Sequence, residues 1–281
     1  MGWTSLIPMA GDEVGYHAPG VQSFHYTDPG WTFFAQGSWL NTWINKSTLQ
    51  ALIAAILVIV FWLVASRKLK IVPTKGQFFS EYVYDFVRNG IARDILGPDY
   101  RRYTGYLVGL FSFLLINNWF GETFIFMYPT FSNIGYAYAL AIMTWVIYIG
   151  AGIARHGFGK FMKKSLLPPG VPPYLWILII PLEFLSNFIT RPITLALRLF
   201  ANLFAGHLVV LVFVVGGWFL MTYPSQSAAT EMNLGYNIAG VISIVFSFAI
   251  LALELFIGAL QAYIFTVLTA QYVHSSLADD H

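Results

Sequence analysis

Cysteine is absent from this 281-residue chain, and charged residues are scarce. Without cysteine there is no disulfide, no thiolate metal site and no thiol redox switch. Charged residues make up 10% of the chain, whereas soluble domains contain roughly 25%. Hydrophobic residues reach 57% and aromatic residues 18%. This composition excludes an ordinary soluble domain and predicts an all-α polytopic membrane protein.

Several sequence patterns of enzymes and of exported proteins are also missing. The first apolar run begins near residue 48, which does not fit a cleavable signal peptide. There is no P-loop, no HExxH and no nucleotide-binding fingerprint, and histidine pairs for haem ligation are absent. His17 and His25 are too scattered to form a metal site. These absences predict no cofactor and no metal. We also expect no nucleic-acid partner and no catalytic centre.

The N-terminal half begins with a polar leader and continues into one membrane span. Residues 1–46 are acidic and aromatic, and we expect an exposed tail with a short interfacial helix over Phe33–Ile44. Ser47–Ala65 is long enough to cross the bilayer. In Gly76–Leu96, apolar residues recur at helical spacing beside charged ones, which predicts an amphipathic helix on the membrane surface. A soluble linker helix is the alternative.

Two further apolar runs predict a transmembrane hairpin. The runs are Tyr103–Met127 and Tyr136–Ile153, and Pro129 lies in the short turn between them. Glu122 lies near the end of the first run, so we expect it at the membrane interface. After the hairpin, the proline-rich segment Leu167–Pro173 ends any helix.

The last two apolar regions are too long for a simple span. A helix over about residues 177–215 would measure about 55–60 Å, nearly twice the roughly 30 Å of hydrocarbon. Either Arg191-Pro192 is a tight turn between two spans, or the segment is one long tilted helix. Met232–Tyr272 has the same excess length without a proline, which favours two long tilted helices. We assign residues 47–275 to a single membrane domain and 276–281 to a tail.

Lysine and arginine positions predict the orientation. Twelve of the fifteen lie in the loops after the first and third spans, Lys46 lies on the other side, and Arg191 and Arg198 lie within apolar sequence. The positive-inside rule places those two loops in the cytoplasm. We therefore expect the N-terminus outside and the C-terminus inside.

Polar residues form one line on each of the two long helices. In the first helix, residues spaced by four, seven and four share a face: Asn187, Arg191, Arg198 and Asn202. In the second helix, the line is Ser243, Ser247, Glu254 and Gln261. Arginine keeps its charge at any working pH. Arg198 is therefore predicted to be a fixed positive charge inside a membrane, where ionisable residues are functional by default.

His207 lies about half a turn away from the face of Arg198. It and Glu254 can both titrate near neutral pH, so they are candidates for proton exchange. Other interpretations stay open at this point. Arg198 could form a structural ion pair with Glu254 or with Glu183, and polar residues such as Asn202 and Gln261 could simply hold helices together.

Two motifs make the chain resemble a known family. Leu197–His207 (LRLFANLFAGH) is similar to the signature of subunit a of the F-type ATP synthase, and Gln261–Thr269 (QAYIFTVLT) resembles the second signature of that family. Ile180–Glu183 and the Arg191-Pro192 pair fit the approach to the first signature. The resemblance covers about residues 45–275 and leaves out the leader.

The resemblance implies a non-catalytic stator subunit that provides two aqueous half-channels to the carboxylates of a rotating c-ring. The essential arginine of the family maps to Arg198. Asn202 and Gln261 would position Arg198 or line the path, while His207 and Glu254 would serve the outer half-channel. In some family members the acidic residue and the histidine occupy these two places the other way round. The weaker candidates are Glu183, for the cytoplasmic half-channel, and Ser247, Asn187 and Arg191.

The implied partners are the c-subunit ring, b-type peripheral-stalk subunits, the rest of the ATP synthase complex and the lipid bilayer. The implied location is the plasma membrane of a bacterium. Two other functions stay open from the sequence. A secondary transporter would use Arg198 to bind an anionic substrate, but it predicts an internal symmetry that the sequence does not display. A structural membrane anchor would leave the polar lines dispensable.

Overall fold

The computed structural model describes residues 19–20, 44–67, 70–123, 129–167, 172–226 and 234–278. The helices in this part are α1 Lys46–Arg67, α2 Lys75–Val87, α3 Tyr100–Glu122, α4 Ile134–His156, α5 Phe158–Leu166, α6 Trp176–Phe184, α7 Arg191–Gln226 and α8 Leu234–Leu277. Among the described residues, four helices are long and apolar enough to cross a membrane: Lys46–Arg67, Ile134–His156, Trp176–Thr222 and Leu234–Leu277. The predicted all-α polytopic fold is confirmed.

Both helices of the predicted hairpin are present, with bounds that differ from the predicted ones. Helix α4 contains the predicted span Tyr136–Ile153 and extends it at both ends. Helix α3 ends at Glu122 instead of Met127, and residues 124–128 lie outside the described part. Its arginines and its polar last turn lower its hydropathy, so α3 is not among the four most apolar helices. Backbone atoms of Pro129 lie against Gly121, so residue 121 has no room for a side chain.

The segment around Arg191-Pro192 is helical and does not form a turn. Helix α6, the π-helical segment Leu185–Thr190 and helix α7 follow one another without a break. Proline lacks an N–H, and its ring clashes with the carbonyl four residues earlier in a regular α-helix. The π segment ends two residues before Pro192, so the wider turn lies where that clash would occur. The prediction of one long helix through Arg191-Pro192 is confirmed. The second predicted long helix is also confirmed, because α8 has 44 residues.

Helix α2 confirms the predicted helix over residues 76–96. It begins after the N-cap Thr74, whose hydroxyl accepts the N–H of Gln77. The helix continues through the π segment Arg88–Arg93 and a last turn to Leu96. Val87 and Ile91 are fully buried, whereas Phe78 is 63% exposed. The apolar residues therefore divide between a face that packs on protein and an aromatic face open to the surroundings. Helix α5, which follows α4, was not predicted.

Two compact units contain the described residues. The first comprises Met1–Ile53, Asn117–Asn133 and Ala201–Ala259, and the second comprises Ala54–Ile116, Ile134–Phe200 and Leu260–His281. In the second unit, Trp62 donates to the hydroxyl of Ser112 at 3.1 Å. The core of that unit consists of fully buried aliphatic side chains, among them Leu107, Leu114, Leu195 and Leu199. The expected leader helix Phe33–Ile44, His17 and His25 lie outside the described residues, except for Ile44.

Candidate functional site

A buried cluster of three titratable side chains lies in the first unit. His207 of α7 is 8% exposed, Glu254 of α8 is 5% exposed, and Glu122 at the end of α3 is 7% exposed. Nδ1 of His207 lies 3.8 Å from Oε2 of Glu122. The Glu254 carboxyl interacts electrostatically with both other residues. The structure thus brings together His207 and Glu254, the pair that the sequence suggested for proton exchange.

Glu122, which the sequence places near the end of a span, is the last residue of α3, and its side chain is buried within the protein. Its side chain is only 1% exposed. The sequence did hold a signal, because Asn118 and Glu122 are four residues apart and therefore share one face of α3. Nδ2 of Asn118 donates to the Gly258 carbonyl of α8 at 2.9 Å, which directs this face of α3 towards α8.

Glycine at position 206 makes room for the cluster. A Cβ atom built there would collide with the carboxylate of Glu254. Only glycine therefore allows Glu254 to lie against the backbone of α7 beside His207. In the same unit, Ser243 donates to the Phe213 carbonyl at 2.8 Å. Gly217 and Gly240 also let the backbones of α7 and α8 approach closely.

Arg198, in the second unit, is exposed on α7. Within the described residues, Arg198 forms no ion pair, so the structural ion pair with Glu183 is not present. Glu183 instead accepts a hydrogen bond of 3.0 Å from the side-chain amide of Asn187. An exposed arginine on an apolar helix keeps its charge available for a partner outside the chain.

A polar cavity of about 200 Å³ also lies in the second unit. Three of its lining residues follow one another along the continuous helix: Glu183 in α6, Asn187 in the π segment and Arg191 at the start of α7. The Tyr148 hydroxyl donates to the Asn187 carbonyl at 2.7 Å, and the Arg191 guanidinium lies 5.2 Å from the ring centre of Tyr272. These three predicted residues therefore share one site of the second unit.

The other predicted residues lie elsewhere in the structure. Asn202 is exposed on α7, and Gln261 is buried on α8. Ser247 donates to the Ile244 carbonyl of its own helix at 2.7 Å, so its hydroxyl is satisfied locally. Among the described residues, no group of three or more metal-ligating side chains could hold a metal ion.

Comparison with known proteins decides the family. Residues 48–274 match the family described as ATP synthase A chain. The chain belongs to the ATP synthase A chain family. ATP synthase subunit a of a Nocardioides species is 42% identical over the full length of both chains. Subunit a of Frankia alni is 40% identical over 97% of this chain and 90% of its own. Subunit a of Streptomyces lividans is 35% identical over 96% and 91%.

Membership of the ATP synthase A chain family implies that the chain is part of an ATP synthase complex. Its relatives are bacterial, and its helices suit a multi-pass membrane protein.

Proposed function

We propose that this chain is the non-catalytic stator subunit that carries protons to and from the carboxylates of a rotating c-ring. The observation that carries the proposal is Arg198, a permanent cation exposed on an apolar helix that forms no ion pair among the described residues. A buried or lipid-facing guanidinium needs a counter-charge. A rotor carboxylate of the c-ring supplies that charge during part of each turn.

Arg198 acts in two ways in this mechanism. It favours the charged form of an approaching rotor carboxylate and so promotes release of its proton. Its positive charge also repels protons, which prevents direct passage between the two half-channels. Asn202 lies four residues after Arg198 in the first signature, and Gln261 begins the second signature. In this mechanism both residues position Arg198 or line the proton path.

The buried cluster supports an outer half-channel that contains His207 and Glu254. These side chains are of the types that exchange protons near neutral pH. The polar cavity supports a cytoplasmic half-channel that contains Glu183, with Asn187 and Arg191 in its wall. Ser247 is a weaker candidate, because its hydroxyl already bonds within α8.

The proposed setting completes the mechanism. The chain lies in the plasma membrane of a bacterium, with its N-terminus outside and its C-terminus in the cytoplasm. It works beside the c-ring and b-type peripheral-stalk subunits. Residues 47–275 form its membrane domain, and the aromatic face of α2 rests on the membrane surface.

The test replaces Arg198 with alanine in the assembled complex. ATP-driven proton pumping is measured in inverted vesicles, followed by passive proton leak after removal of the water-soluble sector. We expect pumping to be lost in a complex that still assembles, and we expect a leak because the electrostatic barrier is gone. Arg67→Ala is the matched control, since Arg67 is exposed at the end of α1. Near-normal pumping by Arg198→Ala would contradict the mechanism.

A further inference from the structure

Glu122 is the one member of the buried cluster to which the proposed function assigns no role. Its side chain is 1% exposed, and neither of its carboxylate oxygens has a hydrogen-bond partner among the described residues. Leaving a buried acceptor without a partner is unfavourable, and an isolated buried charge is more so. A carboxyl group in this position therefore needs a proton, a water molecule or a nearby cation.

The surroundings of Glu122 supply groups that exchange protons. His207 faces it from α7, with Nδ1 3.8 Å from Oε2. Glu254 faces the same cluster from α8 and interacts electrostatically with Glu122. The 3.8 Å gap is longer than a direct hydrogen bond, so proton transfer across it would need an intervening water molecule or a small side-chain rotation.

The electrostatics of the cluster also favour a role in proton binding. If both carboxyl groups were ionised and His207 were neutral, two negative charges would share a buried site. Like charges that share a buried site repel each other. A proton shared within the cluster would relieve that repulsion, and Glu122 lies beside His207, from which a proton can reach it.

We propose that Glu122 is a third proton-binding residue of this path, exchanging protons with His207 alongside Glu254. This inference rests on the proposed function of the chain. In the exchange, protonated Glu122 gives its proton to neutral His207, leaving a carboxylate and an imidazolium. The imidazolium then gives a proton to the Glu254 carboxylate and returns to the neutral form. No electron transfer and no further reactant are needed.

The decisive variant is Glu122→Gln in the full ATP synthase, because glutamine keeps the shape and the polarity of the side chain but cannot carry the proton. ATP-driven pumping in inverted vesicles is measured across a range of pH. We expect pumping to fall by about tenfold or more, as for loss of a proton-transferring group, and the pH profile to change. Glu122→Asp keeps a carboxyl that can carry a proton and should retain more of the rate than Glu122→Gln does. Glu81→Gln, an exposed glutamate on α2, is the matched control.

A second measurement covers the case in which Glu122→Gln does not assemble. Infrared difference spectra of the complex report protonated carboxyl groups, and Glu122→Asp should shift one of these bands. Unchanged bands in Glu122→Asp would overturn the inference, as would normal pumping with an unchanged pH profile in Glu122→Gln. If Arg198→Ala abolishes pumping while Glu122→Gln pumps normally, only this inference fails. If Arg198→Ala pumps normally, the proposed function fails.

Discussion

The carboxylate of Glu254 on α8 lies against the backbone of Gly206 on α7, in the space that a side chain of residue 206 would occupy. The next residue is His207, so the missing side chain at position 206 sets the position of Glu254 relative to the imidazole. This relationship makes Gly206 a positioning residue of the buried cluster.

Replacing Gly206 with alanine should displace Glu254 and slow proton pumping. The added methyl group collides with the carboxylate, and a misplacement of about 1 Å can reduce a rate by up to about 100-fold. The measurement is ATP-driven pumping in inverted vesicles, normalised to the amount of assembled complex. Gly109→Ala on α3 is the control, because a Cβ atom there meets nothing within 4 Å. Equal pumping by the two variants would show that the space at Gly206 is not needed.

Replacing Gly240 with valine should destabilise the packing of α7 against α8. A Cβ atom at Gly240 would lie 2.5 Å from Cγ of Met221 and 2.7 Å from the Gly217 carbonyl oxygen. Overpacking of this kind costs about 1–3 kcal/mol. We expect the detergent-solubilised complex to lose this subunit at a lower temperature than the parent complex does. Gly235→Val on the same helix is the control, since its Cβ meets nothing within 4 Å, and identical dissociation temperatures would refute the close approach.

The absence of cysteine makes the predicted orientation directly measurable. Two single-cysteine variants test it: Asn133→Cys, just before α4, and Lys160→Cys, after α4. In inverted vesicles, a membrane-impermeant maleimide should label Lys160→Cys at once, and it should label Asn133→Cys only after the membrane is permeabilised. The cysteine-free parent gives the background. The opposite pattern of labelling would reverse the orientation inferred from lysine and arginine.

Much of the fold followed from residue patterns, because long apolar helices leave a strong signal in the sequence. The bounds of α1 and α4 and the unbroken helix through Arg191-Pro192 all agreed with that signal. Helix α5 was missed because Phe158–Leu166 is short and contains three lysines. The end of α3 was misplaced because the apolar run continues beyond Glu122, while the helix ends there.

The candidate site was harder to predict than the fold. Helical phase identified His207 and Glu254 separately, but it could not place Glu122 beside them. The three residues come from three helices, and which helices meet is decided by packing contacts distant in sequence. The hydrogen bond from Asn118 to the Gly258 carbonyl is one such contact. Arg198 needed no tertiary information, because a cation in an apolar run is notable by itself.

The π segment Leu185–Thr190 changes how residues before and after it line up along the helix. In an uninterrupted α-helix, Glu183 and Arg191 would point about 80° apart, since each residue turns the chain by about 100°. A π turn accommodates about one additional residue, which leaves the two close to two full turns apart and on one side of the helix. Both line the same cavity. The number of residues in this segment therefore determines the angle between Glu183 and Arg191 around the helix axis. We expect insertion of one further residue between 185 and 190 to rotate Glu183 away from Arg191, even though no side chain of the cavity would have been changed. Deletion of one residue there should instead restore a regular α-helix, with the two residues seven apart and still on one side.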